Sequence, residues 1–118
     1  MAWFFSNDKP IFQQIIDIIV INIIKGIYPL GSKLPAVREL AVEAGVNPNT
    51  MQRALADIEQ TGIIYTKRGD GRYVTDDKEI INSFKDKYVE EYTKRYIESL
   101  NNLGLDKSQI IDAINKLL

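Results

Sequence analysis

The first strongly apolar stretch, residues 10–25, predicts a helix with Pro10 in its first turn. Its apolar residues occupy more than one side of that helix, which is wider than a single amphipathic stripe. Such a helix must be covered on more than one side. We therefore expect the C-terminal segment or a second subunit to pack on it.

Two shorter segments with helical spacing follow. Residues 36–44 predict a second helix, and Gly45 supplies the positive-φ residue that ends it. Asn47 and Pro48 open a third helix as N-cap and first-turn residue, and Gly62 closes it. Two helices joined by so short a turn predict a helix-turn-helix.

The next segment has the pattern of a β-hairpin. Residues 63–67 and 72–75 are short β-prone runs, and the sequence Arg-Gly-Asp-Gly separates them. The order of three helices and a hairpin predicts a winged helix-turn-helix, so we expect a mainly α fold with one small β-hairpin. We assign residues 1–75 to this DNA-binding domain.

Residues 76–118 predict a helical hairpin. Asp76 and Asp77 can cap a long helix that runs to about Leu103, and Gly104 ends it. Asp106, with Gln109 three residues later, resembles a capping box for a last short helix.

The apolar faces of these two helices enclose little by themselves, and an identical subunit is the simplest cover. We therefore predict that residues 76–118 form a homodimerisation appendage. An aromatic ligand cage is the alternative explanation for the three regularly spaced tyrosines. The predicted dimer contacts are Phe84, Tyr88, Tyr92, Tyr96, Leu100, Ile110 and Ile114.

Composition excludes several function classes. The chain has neither cysteine nor histidine, which removes thiolate chemistry, histidine acid–base catalysis and the usual zinc sites. We expect no enzyme activity, no metal and no cofactor; Asp76, Asp77 and Glu79 are better explained as a solvated helix cap than as a cation site. The net charge is only −1, so any contact with nucleic acid should be focal.

Residues 11–30 are rich in isoleucine, but polar residues interrupt them, whereas a membrane span needs about 20 continuous apolar residues. The first residues also lack the order of a signal peptide. We expect a cytoplasmic protein without a membrane segment.

The start of the third helix carries side chains suited to reading bases. Asn and Gln can bond adenine through two hydrogen bonds, and Arg can reach guanine or a phosphate. The alternative is a solvated helix start that only needs polar residues. With Arg38 of the second helix as a phosphate contact, the predicted DNA-binding residues here are Arg38, Asn47, Asn49, Thr50, Gln52 and Arg53.

The hairpin also has DNA-binding character. Lys67, Arg68 and Arg72 surround Gly69, which lets the backbone approach DNA closely, and arginines favour the narrow minor groove. Asp70 argues against this interpretation because it would repel phosphate. Charges that keep a hairpin soluble are the alternative.

These residues together resemble the GntR-type winged-helix signature. The resemblance covers residues 9–75, and the remainder looks like the two-helix appendage of the YtrA subfamily. The matching segments are 10–15 (PIFQQI), 26–35 (GIYPLGSKLP), 37–41 (VRELA), 45–50 (GVNPNT) and 62–74 (GIIYTKRGDGRYV).

The resemblance implies a dimeric bacterial regulator, usually a repressor, on a pseudo-palindromic double-stranded DNA operator. It implies DNA contacts at Arg38, Gln52 and the Arg68–Gly69 pair. Many relatives carry arginine where this chain has Pro48 and Gln52, so their guanine-reading pattern is not transferred. Within this sequence, the segment after Val74 is too short for the effector or aminotransferase-like domains of larger relatives.

Two further expectations remain open at this point. If a small-molecule effector regulates the protein, we expect it near the dimer interface. A winged helix that binds a protein instead of DNA is the alternative function, and the slightly acidic composition leaves room for it.

Overall fold

The computed structural model describes residues 3–118. Within that range the chain forms five helices and one two-stranded antiparallel sheet, which confirms the predicted fold class. The elements are α1 (Ile11–Ile24), α2 (Val37–Ala44), α3 (Pro48–Glu59), β1 (Ile64–Lys67), β2 (Gly71–Val74), α4 (Lys78–Asn102) and α5 (Lys107–Leu117). They divide into two compact units, of which the first ends at Phe84 and the second begins at Lys85.

The core of the first unit is built around α3. This helix packs against α1, α2 and β1, and its inward residues are almost completely buried. Full burial of one such side chain contributes about 1.5–3 kcal/mol, so this cluster holds the three helices in place. The largest fully buried side chains are Ile15, Ile19, Leu40, Met51, Leu55, Ile58, Ile63, Ile64 and Val74.

The turn between α2 and α3 follows the sequence prediction. Gly45 has φ of 74° and its N–H bonds to the carbonyl of Ala41, which ends α2 in the left-handed conformation that glycine adopts most easily. Asn47 then caps α3, because its Oδ1 accepts the backbone N–H of Asn49 at 2.7 Å. Pro48 occupies the first turn, as predicted.

The hairpin has a third, short partner that the sequence analysis did not predict. β1 and β2 pair from Ile64 opposite Val74 to Lys67 opposite Gly71. Residues 32–34 then join the outer edge of β2: the Val74 N–H bonds to the Ser32 carbonyl, and the Leu34 N–H to the Arg72 carbonyl, each at 2.8 Å. These three residues show no apolar alternation, so no strand pattern revealed them. We call the hairpin, residues 64–74, the wing.

The two C-terminal helices begin and end where the caps predict. The N–H of Glu79 bonds to Asp77 Oδ1 at 2.9 Å before α4, and Gly104 follows α4 with φ of 88°. Asp106 and Gln109 form the predicted capping box of α5. No helix within residues 3–118 has the length and apolar character to cross a membrane.

Candidate nucleic-acid interface

The start of α3 presents polar side chains to solvent. Met51, Leu55 and Ile58 are buried on the other side of the helix and fix its rotation about its own axis. Asn49 and Gln52 are therefore exposed, while Thr50 is half-buried. Amide groups held outward in the first two turns of a rigid helix are suited to hydrogen bonding with base edges.

Asn47 has a structural role beside its predicted binding role. Its Oδ1 is used by the cap of α3, so its amide NH₂ is the group that remains to donate to another molecule. The first N–H groups of a helix also favour negative charge nearby. This end of α3 therefore suits a phosphate as well as a base.

Arg53 lies one turn after Asn49 on the same helix and contacts an aromatic ring. Its guanidinium carbon is 5.1 Å from the centroid of Phe12, at the start of α1. A cation over a ring face is attracted by about 0.5–1 kcal/mol at an exposed site. The contact restricts the side chain, and Arg53 nevertheless stays exposed, so it can still meet a phosphate or a base.

Arg38 is exposed on α2, whose opposite side is anchored by the buried residues Leu40, Ala41 and Ala44. Among residues 3–118, no carboxylate pairs with its guanidinium. An unpaired arginine on a rigid helix keeps its full charge available for an anionic partner. This geometry suits the phosphate contact predicted for it.

The tip of the wing is a tight turn that glycine makes feasible. Gly69 has φ of 77°, and the N–H of Asp70 bonds to the Lys67 carbonyl at 2.9 Å. Arg68 is exposed at this turn, without an ion-pair partner in the described part of the chain. The backbone at the tip is thus narrow and carries one projecting arginine.

Lys67 is held against the sheet. Its ammonium nitrogen lies 4.1 Å from the ring centroid of Tyr73, which itself stacks on Tyr65 with ring centroids 6.0 Å apart. The charge of Lys67 is therefore present at the wing, but its position is set by the aromatic pair.

Arg72 differs from the other predicted wing contacts. Its Nε donates to Oε1 of Glu59 at 3.1 Å, and its side chain is only 18% exposed. The same carboxylate oxygen accepts the hydroxyl of Thr66 at 2.7 Å. Arg72 thus faces a partner inside the protein, which the spacing of basic residues along the chain did not reveal.

The carboxylate of Asp70, the residue that argued against DNA binding, is paired with a nearby cation. Its carboxylate accepts the hydroxyl of Tyr73 at 2.6 Å and pairs with the ammonium of Lys33 at 3.1 Å. These contacts, the tyrosine hydrogen bond foremost, lower the pKa of Asp70 below its usual value. The negative charge is therefore compensated by Lys33, beside the wing, and the objection is weaker than the sequence suggested.

The predicted dimer contacts differ in exposure. Tyr92, Tyr96 and Ile114 are 49%, 39% and 38% exposed, whereas Phe84, Tyr88 and Leu100 are half-buried. Ile110 is only 7% exposed, so a single chain already covers it and it offers little surface to a partner. Within residues 3–118, no three acidic side chains come together as a metal site.

Comparison with known sequences places the first unit in a family. Residues 11–74, more than half of the chain, match the sequence profile described as "Bacterial regulatory proteins, gntR family". The chain is 37% identical to the HTH-type transcriptional regulator YhcF of Bacillus subtilis (strain 168) over 93% of this chain and 91% of that protein. It is 35% identical to the HTH-type transcriptional repressor YtrA of the same organism, over 94% of this chain and 86% of the repressor.

Comparison with solved structures also finds transcription regulators. A GntR family transcriptional regulator from Listeria monocytogenes superposes with a TM-score of 0.89 and 43% identity, covering 95% of this chain and 98% of that one. The DNA-binding domain of AraR in complex with operator ORX1 gives a TM-score of 0.56 and 25% identity, covering 64% and 95% of the two chains.

These relatives are transcription regulators rather than enzymes, in agreement with the sequence prediction. The family match covers the helices and wing that carry the exposed amide and basic side chains. The chain therefore belongs to the gntR family of bacterial regulatory proteins, as a transcription regulator with a winged helix-turn-helix DNA-binding domain.

Proposed function

We propose that the protein acts as a homodimeric repressor that binds a pseudo-palindromic operator in the cytoplasm. The observation that carries the proposal is the exposed polar start of α3, held outward by the buried side of the same helix. In helix-turn-helix proteins this part of the third helix enters the major groove. Asn49 and Gln52 are the residues we assign to base reading.

The basic residues around α3 would supply phosphate contacts and orientation. Arg38 on α2 and Arg68 at the wing tip are both exposed, and neither has an ion pair within residues 3–118 that a phosphate contact would have to break. Such contacts carry much of the affinity and make it depend on salt. The low net charge of −1 implies that the attraction is local to these side chains.

The second unit supports the proposal of a homodimer. α4 has 25 residues and none of them is buried, and Ile110 of α5 is the one buried apolar residue recorded from Lys85 onward. A helix gains most of its stability in proteins by packing an apolar face. The exposed apolar side chains that need cover include Val89, Tyr92, Tyr96, Ile97, Ile111 and Ile114.

Two relatives support the finer parts of the proposal. YtrA is named a transcriptional repressor, and the AraR domain has been seen in complex with an operator. A dimer would present two copies of α3 about 34 Å apart or a multiple of that, one turn of DNA. An effector, where one acts, would bind at the dimer interface, because a small change there alters this spacing.

The test is binding to DNA from the promoter of the protein's own gene. We expect fluorescence anisotropy to show specific binding with a steep salt dependence, and sedimentation to give a dimer at micromolar concentration. A monomer, or equal affinity for the promoter and a scrambled duplex, would overturn the proposal. A protein that ignores both duplexes but captures a partner protein would support the interaction-module alternative.

A further inference from the structure

Glu59, the last residue of α3, bonds side chains on both strands of the wing. Its Oε1 accepts the Thr66 hydroxyl at 2.7 Å and the Arg72 Nε–H at 3.1 Å. Thr66 and Arg72 lie directly opposite each other in the β1–β2 register. One carboxylate oxygen therefore joins the end of the base-reading helix to a cross-strand pair of the wing.

The contacts are partly sheltered from solvent. The side chains of Arg72 and Glu59 are 18% and 33% exposed, so the pair is less screened than a surface ion pair. A hydrogen bond in which both partners are charged is shorter and stronger than a neutral one. The position of Arg72 is thus determined by Glu59 more than by solvent.

The wing has little other support on this side. A cleft of about 630 Å³ lies between the start of α2 and the wing, and Thr66 and Arg72 line it together with Pro35 and Val37. Because a cleft separates these elements, apolar packing does not fix the angle of the outer wing there. Polar contacts do so instead: those of Glu59, the short pairing of residues 32–34, and the Lys33–Asp70 ion pair at the tip.

We propose that Glu59 and Arg72 are positioning residues that set the angle between α3 and the wing, and that Arg72 acts through this pair instead of contacting DNA. The inference rests on the proposed DNA-binding function. In the bound state α3 occupies the major groove and Arg68 touches the flanking DNA. Loss of the pair lets the wing move, and the Arg68 contact is then made less often.

The proposal predicts that loss of the Glu59 carboxylate weakens DNA binding, which is the opposite of the usual effect. Removing a carboxylate near DNA normally strengthens binding, because it removes repulsion from phosphates. We expect Glu59→Ala instead to weaken operator binding about tenfold, the equivalent of one charge-assisted hydrogen bond. Arg72→Ala should have a similar effect, and the double variant should bind no worse than either single variant.

Three further variants separate positioning from direct contact. Asp57→Ala removes an exposed carboxylate from the same helix and serves as the matched control, with unchanged or tighter binding expected. Glu59→Gln keeps a hydrogen-bond acceptor and should restore part of the affinity. Arg68→Ala should cost less affinity in the Glu59→Ala background than in the wild type, a coupling that a general loss of stability would not produce.

The measurement is anisotropy on the full-length dimer with an operator duplex, beside thermal unfolding of each variant. If Glu59→Ala binds as tightly as the wild type or more tightly while Arg72→Ala weakens binding, Arg72 contacts DNA directly and the proposal is wrong. If Glu59→Ala unfolds, Glu59→Gln takes its place. Operator binding weaker than that of Asp57→Ala then supports the proposal, and binding as tight as that of Asp57→Ala or tighter overturns it. If the wild type binds no operator, the proposed function fails. Faster amide exchange at Tyr65 and Tyr73, the strand pair next to Thr66 and Arg72, in Glu59→Gln still tests the positioning role without DNA.

Discussion

The ammonium nitrogen of Lys33 lies 3.1 Å from the Oδ1 atom of Asp70, which ties the segment before α2 to the tip of the wing. Gly71 makes room for this contact: its φ is 130°, and a Cβ atom there would lie 3.1 Å from Cε of Lys33. Tyr73 donates to the other oxygen of the same carboxylate. Asp70 thus helps to hold the wing in its conformation.

This arrangement predicts a pH dependence at the wing tip. The pKa of Asp70 is lowered, chiefly by the Tyr73 hydrogen bond and then by Lys33. Since the folded pKa lies below the unfolded one, the contribution to stability is present at neutral pH and is lost as the pH falls through the lowered pKa. We expect an NMR titration of the Asp70 carboxyl to give an inflection below that of an unpartnered aspartate. Tyr73→Phe and Lys33→Ala should each raise the pKa of Asp70, and an unshifted value in the wild type would contradict the contacts.

Base reading by α3 predicts a loss of specificity when Gln52 is shortened. We expect Gln52→Ala to lose about 1–3 kcal/mol of binding free energy on the operator. The difference in affinity between the operator and scrambled DNA should become smaller. Gln60→Ala, at the position directly after α3, is the matched control and should bind normally. Equal binding by Gln52→Ala and the wild type would remove this residue from the reading role.

A phosphate contact at Arg38 predicts a loss of affinity that does not depend on the DNA sequence. Arg38→Ala should weaken binding to all duplexes alike and lower the slope of log K against log salt by about one. The comparison is Lys25→Ala, an exposed cation at the end of α1. A slope that stays at the wild-type value in Arg38→Ala would show that Arg38 does not neutralise a phosphate.

Asn47 combines two roles that substitutions can separate. Asn47→Ala should lower the free energy of unfolding by about 1 kcal/mol, because α3 loses its cap. Asn47→Asp keeps a capping oxygen and should preserve stability, while its added charge weakens DNA binding through repulsion from phosphate. Thermal unfolding and anisotropy on both variants provide the test; a destabilised Asn47→Asp would argue against the cap.

The exposed face of α4 predicts that one charge can break the dimer. Tyr96→Glu places a carboxylate where we expect a buried contact, and burial of an unpaired charge is costly. Sedimentation should then give a monomer at micromolar concentration, with operator affinity strongly reduced. Glu98→Gln, two residues along the same helix, should remain dimeric. If the Tyr96→Glu protein is still a dimer, the dimer interface does not include this residue.

The sequence by itself determined the five helices, the hairpin and the main caps. Gly45, the Asn47 cap and the Asp106–Gln109 capping box were predictable because each depends on residues within a few positions along the chain. The buried side of α3 followed from helical spacing, and with it the exposed side that carries Gln52.

Only the tertiary structure decided which charges are free and which are engaged. Lys33 meets Asp70 across 37 positions, and Arg72 meets Glu59 across 13. No local pattern encodes such pairs, because the packing of the helices and the wing, and not spacing along the chain, brings them together. For that reason Arg68 and Arg72 looked alike in the sequence, whereas in the folded chain one projects to solvent and the other is held by the end of α3.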